Sequence, residues 1–582
     1  MARIRYERDN IFDIPKGANT TAKGRVYINC DNHRVVPGDG RKAYTSHTKV
    51  CIGKALPDNL HGKYAGKMYG NVNYYRLFCL DQLPEPPAKA DSISVGPRLV
   101  TEVLADGYGL ISILAEVFGE NDAALIMDLA TYMLTEEKAV FQHYPSWARR
   151  HALYSATSHS DSYISRFLGD AVTYSKIDLF RRKWAKRHIG SGTVYFCYDS
   201  TNTNSQAEGV FLVQKGHAKD DPSLAQVNTD YIVRQEDGLP FSFMEFPGSI
   251  TDVSEASVMA AFIREITDGS DIKITLVCDR GYISEENVEL LTEYGISFLL
   301  MLKSNMNDHA FIMDNYSSQL KNQYEYYMDE FDEFGMTIKR PLFGKGPARY
   351  FHLIWNQALE GKHRAKLLAS VQKKRAEIQR LIDRKTNLSA EDIKRLPAWF
   401  KYNIQESGTI ITKKRGNSRK MQDVSAYTLS HFENDNVVIS RQLNQCGFYL
   451  LVTSEEMTAK QARIAYSKRD CVEKVFQALK SSLGMDEIGV SSDDNLYGKS
   501  LIWFVAAILH SILFNKLMPL RVKDRKSYTV PAAVDKIDEI VADRNLNSNK
   551  YQRRYLLDKR QKEIFRQCGV SLDALDGMIA TL

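Results

Sequence analysis

Apolar and polar positions change period several times along the chain, and these changes divide it. Between about 191 and 303, short apolar runs alternate with helical spacing. "TVYFCYDST" is apolar on both faces, the pattern of a fully buried strand. "EGVFLVQKGH" and "PFSFMEFPGS" read as two further strands joined by polar turns. "SEASVMAAFIREITDG" has helical spacing, with Ser254 as N-cap and Gly269 near its end. "DIKITLVCDRGY" is another buried strand, "SEENVELLTEYG" a helix and "ISFLLMLK" a fifth strand. The order β-β-β-α-β-α-β predicts an α/β fold, a three-strand meander with crossover units beside it.

The flanks differ. Residues 1–90 alternate in short strands broken by turns, a small β-rich region, and "PEPPAKADSISVGP" reads as a linker. Residues 98–190 are helical and end in the cationic run Arg181 to His188. That run is either a solvated helix end or a phosphate-contacting stripe with Trp184 interleaved, which would make 98–190 a DNA-binding region. From 304 to 460 the pattern breaks into an α+β mixture. It holds strand-like "ARYFHLIW", "NVVISRQLN" and "CGFYLLVTS", a Lys/Arg-rich helix "KHRAKLLASVQKKRAEIQRLIDRK" and a basic loop "ITKKRGNSRK". Core character returns at 461–515, so 304–460 reads as an insertion. Residues 516–582 form a charged helical tail.

The segment "YSKRDCVEKVFQALK", Tyr466 to Lys480, is amphipathic. Val472, Val475, Phe476, Leu479 and Leu483 make its apolar face. On one continuous helix, Tyr466, Arg469, Glu473 and Lys480 would lie within roughly 60° of one another. Two cations, a phenol and a carboxylate would then border a buried face.

Composition narrows the class. With 44% hydrophobic and 25% charged residues, the chain of 582 can bury several cores. A net charge of +6 is compatible with a polyanionic partner without demanding one. The eight cysteines form neither a CxxC pair nor a zinc-spaced cluster, which argues against a zinc site and for a reducing, cytoplasmic setting. "MARIRYERDN" has no signal-peptide core. The longest apolar run, Leu501 to Phe514, contains His510 and reads as a buried core helix with no membrane role.

Two buried strands end in acid, Asp199 after "VYFCY" and Asp279 after "ITLVC". Alone, such an Asp is more often a turn residue or a helix cap. The first and fourth strands of this topology can lie side by side and parallel, however, bringing Asp199 next to Asp279. Adjacent carboxylates repel unless a proton or a cation joins them. Oxygen donors without His or Cys favour Mg²⁺, or Mn²⁺, over zinc. Cys197 and Cys278 read as core packing.

"YDST" (198–201), "CDRGY" (278–282) and the Tyr466-x2-Arg469-x3-Glu473-x6-Lys480 spacing together resemble the bacterial DDE transposases of the insertion-sequence-four type. The resemblance covers about 190–515. It implies an RNase H-like catalytic core, a mixed sheet flanked by helices, with an inserted α+β domain. It implies that Asp199, Asp279 and Glu473 bind two Mg²⁺ ions for DNA cleavage and strand transfer. Tyr466, Arg469 and Lys480 would hold DNA phosphates. The implied partners are double-stranded terminal inverted repeats and target DNA, acted on by a homodimer associated with the bacterial nucleoid. Aromatic residues of the insertion stabilise a flipped base in such relatives. Trp355 and Trp399 are the positions to test, although a core role is the commoner fate of a tryptophan. "FPGSITDVS" resembles a family segment but carries Ser249 where Asn is expected. Two other readings stay open, a metal-dependent nuclease without strand transfer and a DNA-binding protein that has lost catalysis.

Overall fold

The computed structural model of the chain describes residues 11–35, 42–56, 65–78, 90–216, 221, 223–250, 252–414, 417–545 and 550–582. The first ten residues, the linker's first half, Cys79, Thr251, and Arg415 and Gly416 of the basic loop lie outside them. The chain forms two compact units. In the first, β1 (Ile11–Asp13), β2 (Asn19–Thr20), β3 (Arg25–Val35), β4 (Tyr44–Ala55) and β5 (Lys67–Gly70) make an antiparallel sheet of order β1-β5-β4-β3-β2. Helix α1 (Val72–Phe78) adds Tyr74 to a small core of Val26, Ile52 and Met68. The second half of the expected linker is ordered. Strand β6 (Ala90–Ser94) leads directly into α2 (Gly96–Gly107), with Pro97 in the helix's first turn, where its missing N–H costs nothing.

The second unit opens with helices. After α2 come α3 (Leu110–Phe118), α4 (Glu120–Thr135), α5 (Tyr144–Ala148), α6 (Asp161–Arg166) and α7 (Tyr174–His188). The cationic end of α7 divides into inward and outward groups, with Lys186 and Arg187 exposed. Arg181 and Trp184 are buried, and the Trp184 indole donates to the Pro240 carbonyl at 3.0 Å. Arg182 pairs with Asp178 and Glu265, and Lys183 with Glu116.

Strands β7 (Thr193–Ser205), β8 (Ala225–Arg234) and β9 (Pro240–Pro247) form an antiparallel meander. Helix α8 (Asp252–Thr267), β10 (Lys273–Cys278), α9 (Glu285–Glu293) and β11 (Ser297–Met301) follow, the order the periodicity predicts. Strand β10 lies parallel to both β7 and β11. Three details differ from the expectations. Residues 208–216 are not a strand. Asp493 accepts the backbone N–H groups of Phe211 and Leu212 at 3.0 Å each, and Phe211 is exposed. The second strand is β8 instead, whose Gln226, Asn228 and Asp230 are buried in spite of their polarity. Ser254 lies inside the first turn of α8, while Ser284 does cap α9 by accepting from Asn287 N–H.

The sheet continues into the segment expected to be an insertion. Helix α10 (Asn307–Leu320) precedes β12 (Tyr327–Met328), β13 (Glu333–Pro341) and β14 (Ala348–Trp355). These strands and the later β18 (Phe448–Thr453) extend the sheet to nine strands, in the order β12-β13-β14-β18-β11-β10-β7-β8-β9. Between β14 and β18 a separate small core forms. Helix α11 (Gln357–Asp383) packs Val371 and Ile378 against Leu388, Phe400 and Leu429. Those residues belong to β15 (Leu388–Ser389), β16 (Phe400–Lys414) and β17 (Asn417–Asn434), with α12 (Ala390–Lys394) between them. "NVVISRQLN" is helix α13 (Asn436–Asn444) and not a strand, because Asp435 caps it by accepting from Val437 and Val438 N–H.

The Tyr466–Lys480 segment is two helices. Helix α14 (Ala459–Ser467) and α15 (Asp470–Ser481) meet at a tight turn. There Arg469 N–H donates to Tyr466 O and Val472 N–H to Arg469 O, both three residues back, tighter than α-helical spacing. Val472, Val475, Leu479 and Leu483 are buried, as the apolar pattern requires. Helix α16 (Asp493–Arg521) extends the expected core run to 29 residues. It is long and apolar enough to cross a membrane, yet most of its apolar stretch is buried inside the protein. Helix α17 (Val530–Asp538) and, after two short strands, α18 (Lys559–Cys568) and α19 (Leu572–Ala580) complete the tail.

Candidate active site

The period of two along β7 sorts its residues. Phe196 and Tyr198 face the core beneath α8, and Cys197 and Asp199 face α15. Asp199 is not at the strand end, since β7 runs six residues beyond it. Asp279 directly follows β10. Because Tyr198 is in register with Cys278 on the parallel neighbour, the two aspartates sit side by side. Each is oriented by the next residue. Asp199 Oδ1 accepts from Ser200 N–H at 2.9 Å, and Asp279 Oδ1 from Arg280 N–H at 2.7 Å.

The α14–α15 junction delivers the other groups. Tyr466 OH donates to Asp279 Oδ1 at 3.3 Å. Arg469 Nη1 donates to Asp199 Oδ2 at 2.8 Å, and Nη2 to Glu473 Oε1 one turn along α15. One guanidinium thus joins the acid of β7 to the acid of α15. Burial alone would lower the Arg469 pKa, but Tyr466, Asp199, Asp279 and Glu473 outweigh it and hold the group above its ordinary value. Burial and the Asp279 carboxylate push the Tyr466 phenol up, which keeps it a neutral donor. Lys480 is half-buried two turns beyond Glu473. A tight turn separates Tyr466 on α14 from Glu473 and Lys480 on α15, with Arg469 at the junction in contact with both Tyr466 and Glu473.

A cleft of about 800 Å³ opens from Asp279, Tyr466 and Arg469 toward α11, where His363 and Lys366 line it together with Trp399. Trp399 is half-buried, with its indole donating to Gln442 at 2.6 Å. Trp355 is instead a core residue, 2% exposed, whose indole donates to Glu360. Ser249 is exposed and hydrogen-bonds Gln214. Two features escaped the sequence. His363 and Lys366, three apart on α11, were hidden inside a generally cationic helix. The Cys197 thiol of β7 donates to the Lys468 carbonyl at the α14–α15 turn, at 3.9 Å; no spacing connects positions so far apart.

The donor chemistry suits a hard divalent cation, since the acids offer only oxygen. Among the described residues, no three His, Cys, Asp or Glu side chains are drawn together as a ready metal cage. The acids are instead arrayed about the charge of Arg469.

The site is carboxylate-lined, on two parallel strands faced by a cationic helix junction. A family model described as the transposase DDE domain matches residues 192–509, more than half of the chain. The chain belongs to the DDE transposase family. Among solved structures, the cryo-EM structure of the piggyBac transposase synaptic complex with hairpin DNA is similar, with 9% identity and a TM-score of 0.36, over 83% of this chain and 81% of that one. That likeness is too distant to assign anything further. No curated protein sequence matches.

Proposed function

We propose that this chain is a transposase of the insertion-sequence-four type, which binds terminal inverted repeats and performs Mg²⁺-dependent cleavage and strand transfer. The observation that carries the reading is the meeting of Asp199, Asp279, Tyr466, Arg469 and Glu473 at one place, from three distant parts of the chain. The strand order β9-β8-β7-β10-β11, with β10 parallel to β7 and β11, supports an RNase H-like core. The small core within 357–444 supports an insertion domain inside the expected 304–460.

Asp199, Asp279 and Glu473 would hold Mg²⁺, or Mn²⁺. The chemistry supplied by divalent ions at such a site is activation of the attacking oxygen and stabilisation of the leaving 3′-oxygen. The chain's own residues do the positioning. Arg469 can fork two phosphate oxygens, Lys480 offers a point charge, and Tyr466 a neutral O–H. His363 and Lys366 extend the cationic wall of the cleft along α11. Pairing two transposon ends calls for a homodimer in the DNA complex, acting at the nucleoid.

The test is incubation of the protein with its element's end DNA and Mg²⁺. Cleavage at the 3′ end and joined products from wild type, absent from Glu473→Gln, are expected. Equal products from both proteins would sink the reading. Cleavage without joining would reduce it to a nuclease.

A further inference from the structure

The Arg469 fork points to a task beyond holding phosphate, and it rests on the metal-site reading above. We infer that Arg469 is an internal cation competing with divalent metal for Asp199 and Glu473, so that capture of its guanidinium by a DNA phosphate licenses metal binding.

Three observations lead there. First, Arg469 is not poised at the rim. Its side chain is only 14% exposed, and both of its partners are acids of the proposed site, at Asp199 Oδ2 and Glu473 Oε1. Second, the remaining described contacts of the aspartates are also internal. Asp199 Oδ1 is held by Ser200 N–H, and Asp279 Oδ1 by Arg280 N–H and Tyr466 OH. A divalent ion that takes Asp199 Oδ2 and Glu473 Oε1 into its shell displaces the guanidinium, whose removal opens two carboxylates at once. Third, Arg469 sits at the N-cap of α15, at the tight turn joining two helices. Its side chain can swing without disturbing the buried face of Val472, Val475 and Leu479.

A guanidinium cannot vacate the site by losing its proton. It leaves by exchanging carboxylate oxygens for other anionic oxygens, and a phosphodiester offers the matching fork. DNA binding and metal binding are then coupled. By reciprocity, metal must strengthen DNA binding by the factor by which DNA strengthens metal binding. The arrangement keeps an unloaded transposase from hydrolysing DNA it has not properly engaged.

The experiment measures Mn²⁺ binding to the full-length protein, using the electron paramagnetic resonance signal of free Mn²⁺. Wild type, Arg469→Gln, Arg469→Lys and the charge control Lys468→Gln are compared without DNA. We expect about ten-fold tighter Mn²⁺ binding in Arg469→Gln, a coupling in the ordinary range. Lys468→Gln should change affinity less than about two-fold, since that cation is adjacent in sequence but does not touch the acids. Arg469→Lys should fall between them, and it carries the test if the glutamine variant does not fold. Adding a short DNA duplex should tighten Mn²⁺ binding to wild type and leave Arg469→Gln unchanged. Equal Mn²⁺ affinity in wild type and Arg469→Gln would overturn the inference, as would equal tightening in Lys468→Gln or no effect of duplex on wild type. Asp199→Asn and Glu473→Gln separate the two levels. If both leave Mn²⁺ binding intact, the metal-site reading itself fails. If both abolish it while Arg469 has no influence, only the competition fails.

Discussion

Glu333 sets a sharp test of how the fold presents its site. This carboxylate is 3% exposed and accepts from three elements. Arg463 on α14 donates from Nε at 2.7 Å and from Nη2 at 3.3 Å, Tyr449 OH on β18 at 2.8 Å, and Asn356 Nδ2 at the start of α11 at 2.9 Å. Arg463 also stacks on Phe331 at 4.4 Å. One buried acid thus ties α14, which carries Tyr466 three residues later, to the sheet and to the base of α11. Replacing Arg463 by Met keeps the packing volume but strands a buried carboxylate. Breaking such a pair from one side costs about 3–5 kcal/mol. Arg463 is itself 21% exposed, so Glu333→Gln leaves a cation that water still reaches and should cost less, about 1–2 kcal/mol. In the double variant no charge remains buried, and its loss should be about 2 kcal/mol, well short of the sum of the single losses. Urea denaturation measures the three variants, and hydrogen exchange of α14 amides locates the loosening. A cost below about 1 kcal/mol for Arg463→Met, or simple additivity in the double variant, would refute the reasoning.

Three further outcomes follow from the same structure. Burial raises the Asp128 pKa from 3.8 to about 6, against the hydrogen bonds it accepts from Tyr154 and Ser155 N–H. A raised folded pKa stabilises fully below the unfolded value and loses that contribution as pH climbs through the folded one. Stability should therefore fall by about 2 kcal/mol between pH 4 and 6, and Asp128→Asn should flatten that slope in thermal melts; an unchanged slope contradicts it. Trp355→Ala should destabilise by about 3–5 kcal/mol, whereas Trp399→Ala, at the cleft, should cost less than about 2 kcal/mol; denaturant midpoints that ranked them the other way would exchange their roles. Asp493→Ala removes the acceptor of the Phe211 and Leu212 N–H groups. Faster proteolysis within 208–216 is expected at unchanged global stability, and cleavage as slow as in wild type would argue against it.

Apolar periodicity made much of this protein legible. The runs ending near Asp199 and Asp279 are apolar enough to be strands whatever surrounds them, and topology alone sets them parallel. The buried face of α15 and the core nature of α16 follow from spacing in the same way, because burial of an amphipathic face is a local property. Strand β8 was not legible. Its Asn228 and Gln226 look like loop residues until Asn228 reaches Glu255 at 3.0 Å and Gln226 reaches the Gly248 carbonyl at 3.2 Å. Polar residues can be buried when partners are supplied, and those partners lie elsewhere in the chain.

The same division holds at the site. By itself the sequence determined which groups were available, three acids, two cations and a phenol at suggestive spacing, and that their strands would be buried. Only the tertiary structure decided that β12, β13, β14 and β18 join the sheet that carries the acids. It also decided that the helix breaks at Arg469, and that one guanidinium holds Asp199 and Glu473 together. Periodicity reports which side of an element meets the core. Which charges meet one another depends on the packing of segments some 270 residues apart, and no local pattern encodes that distance.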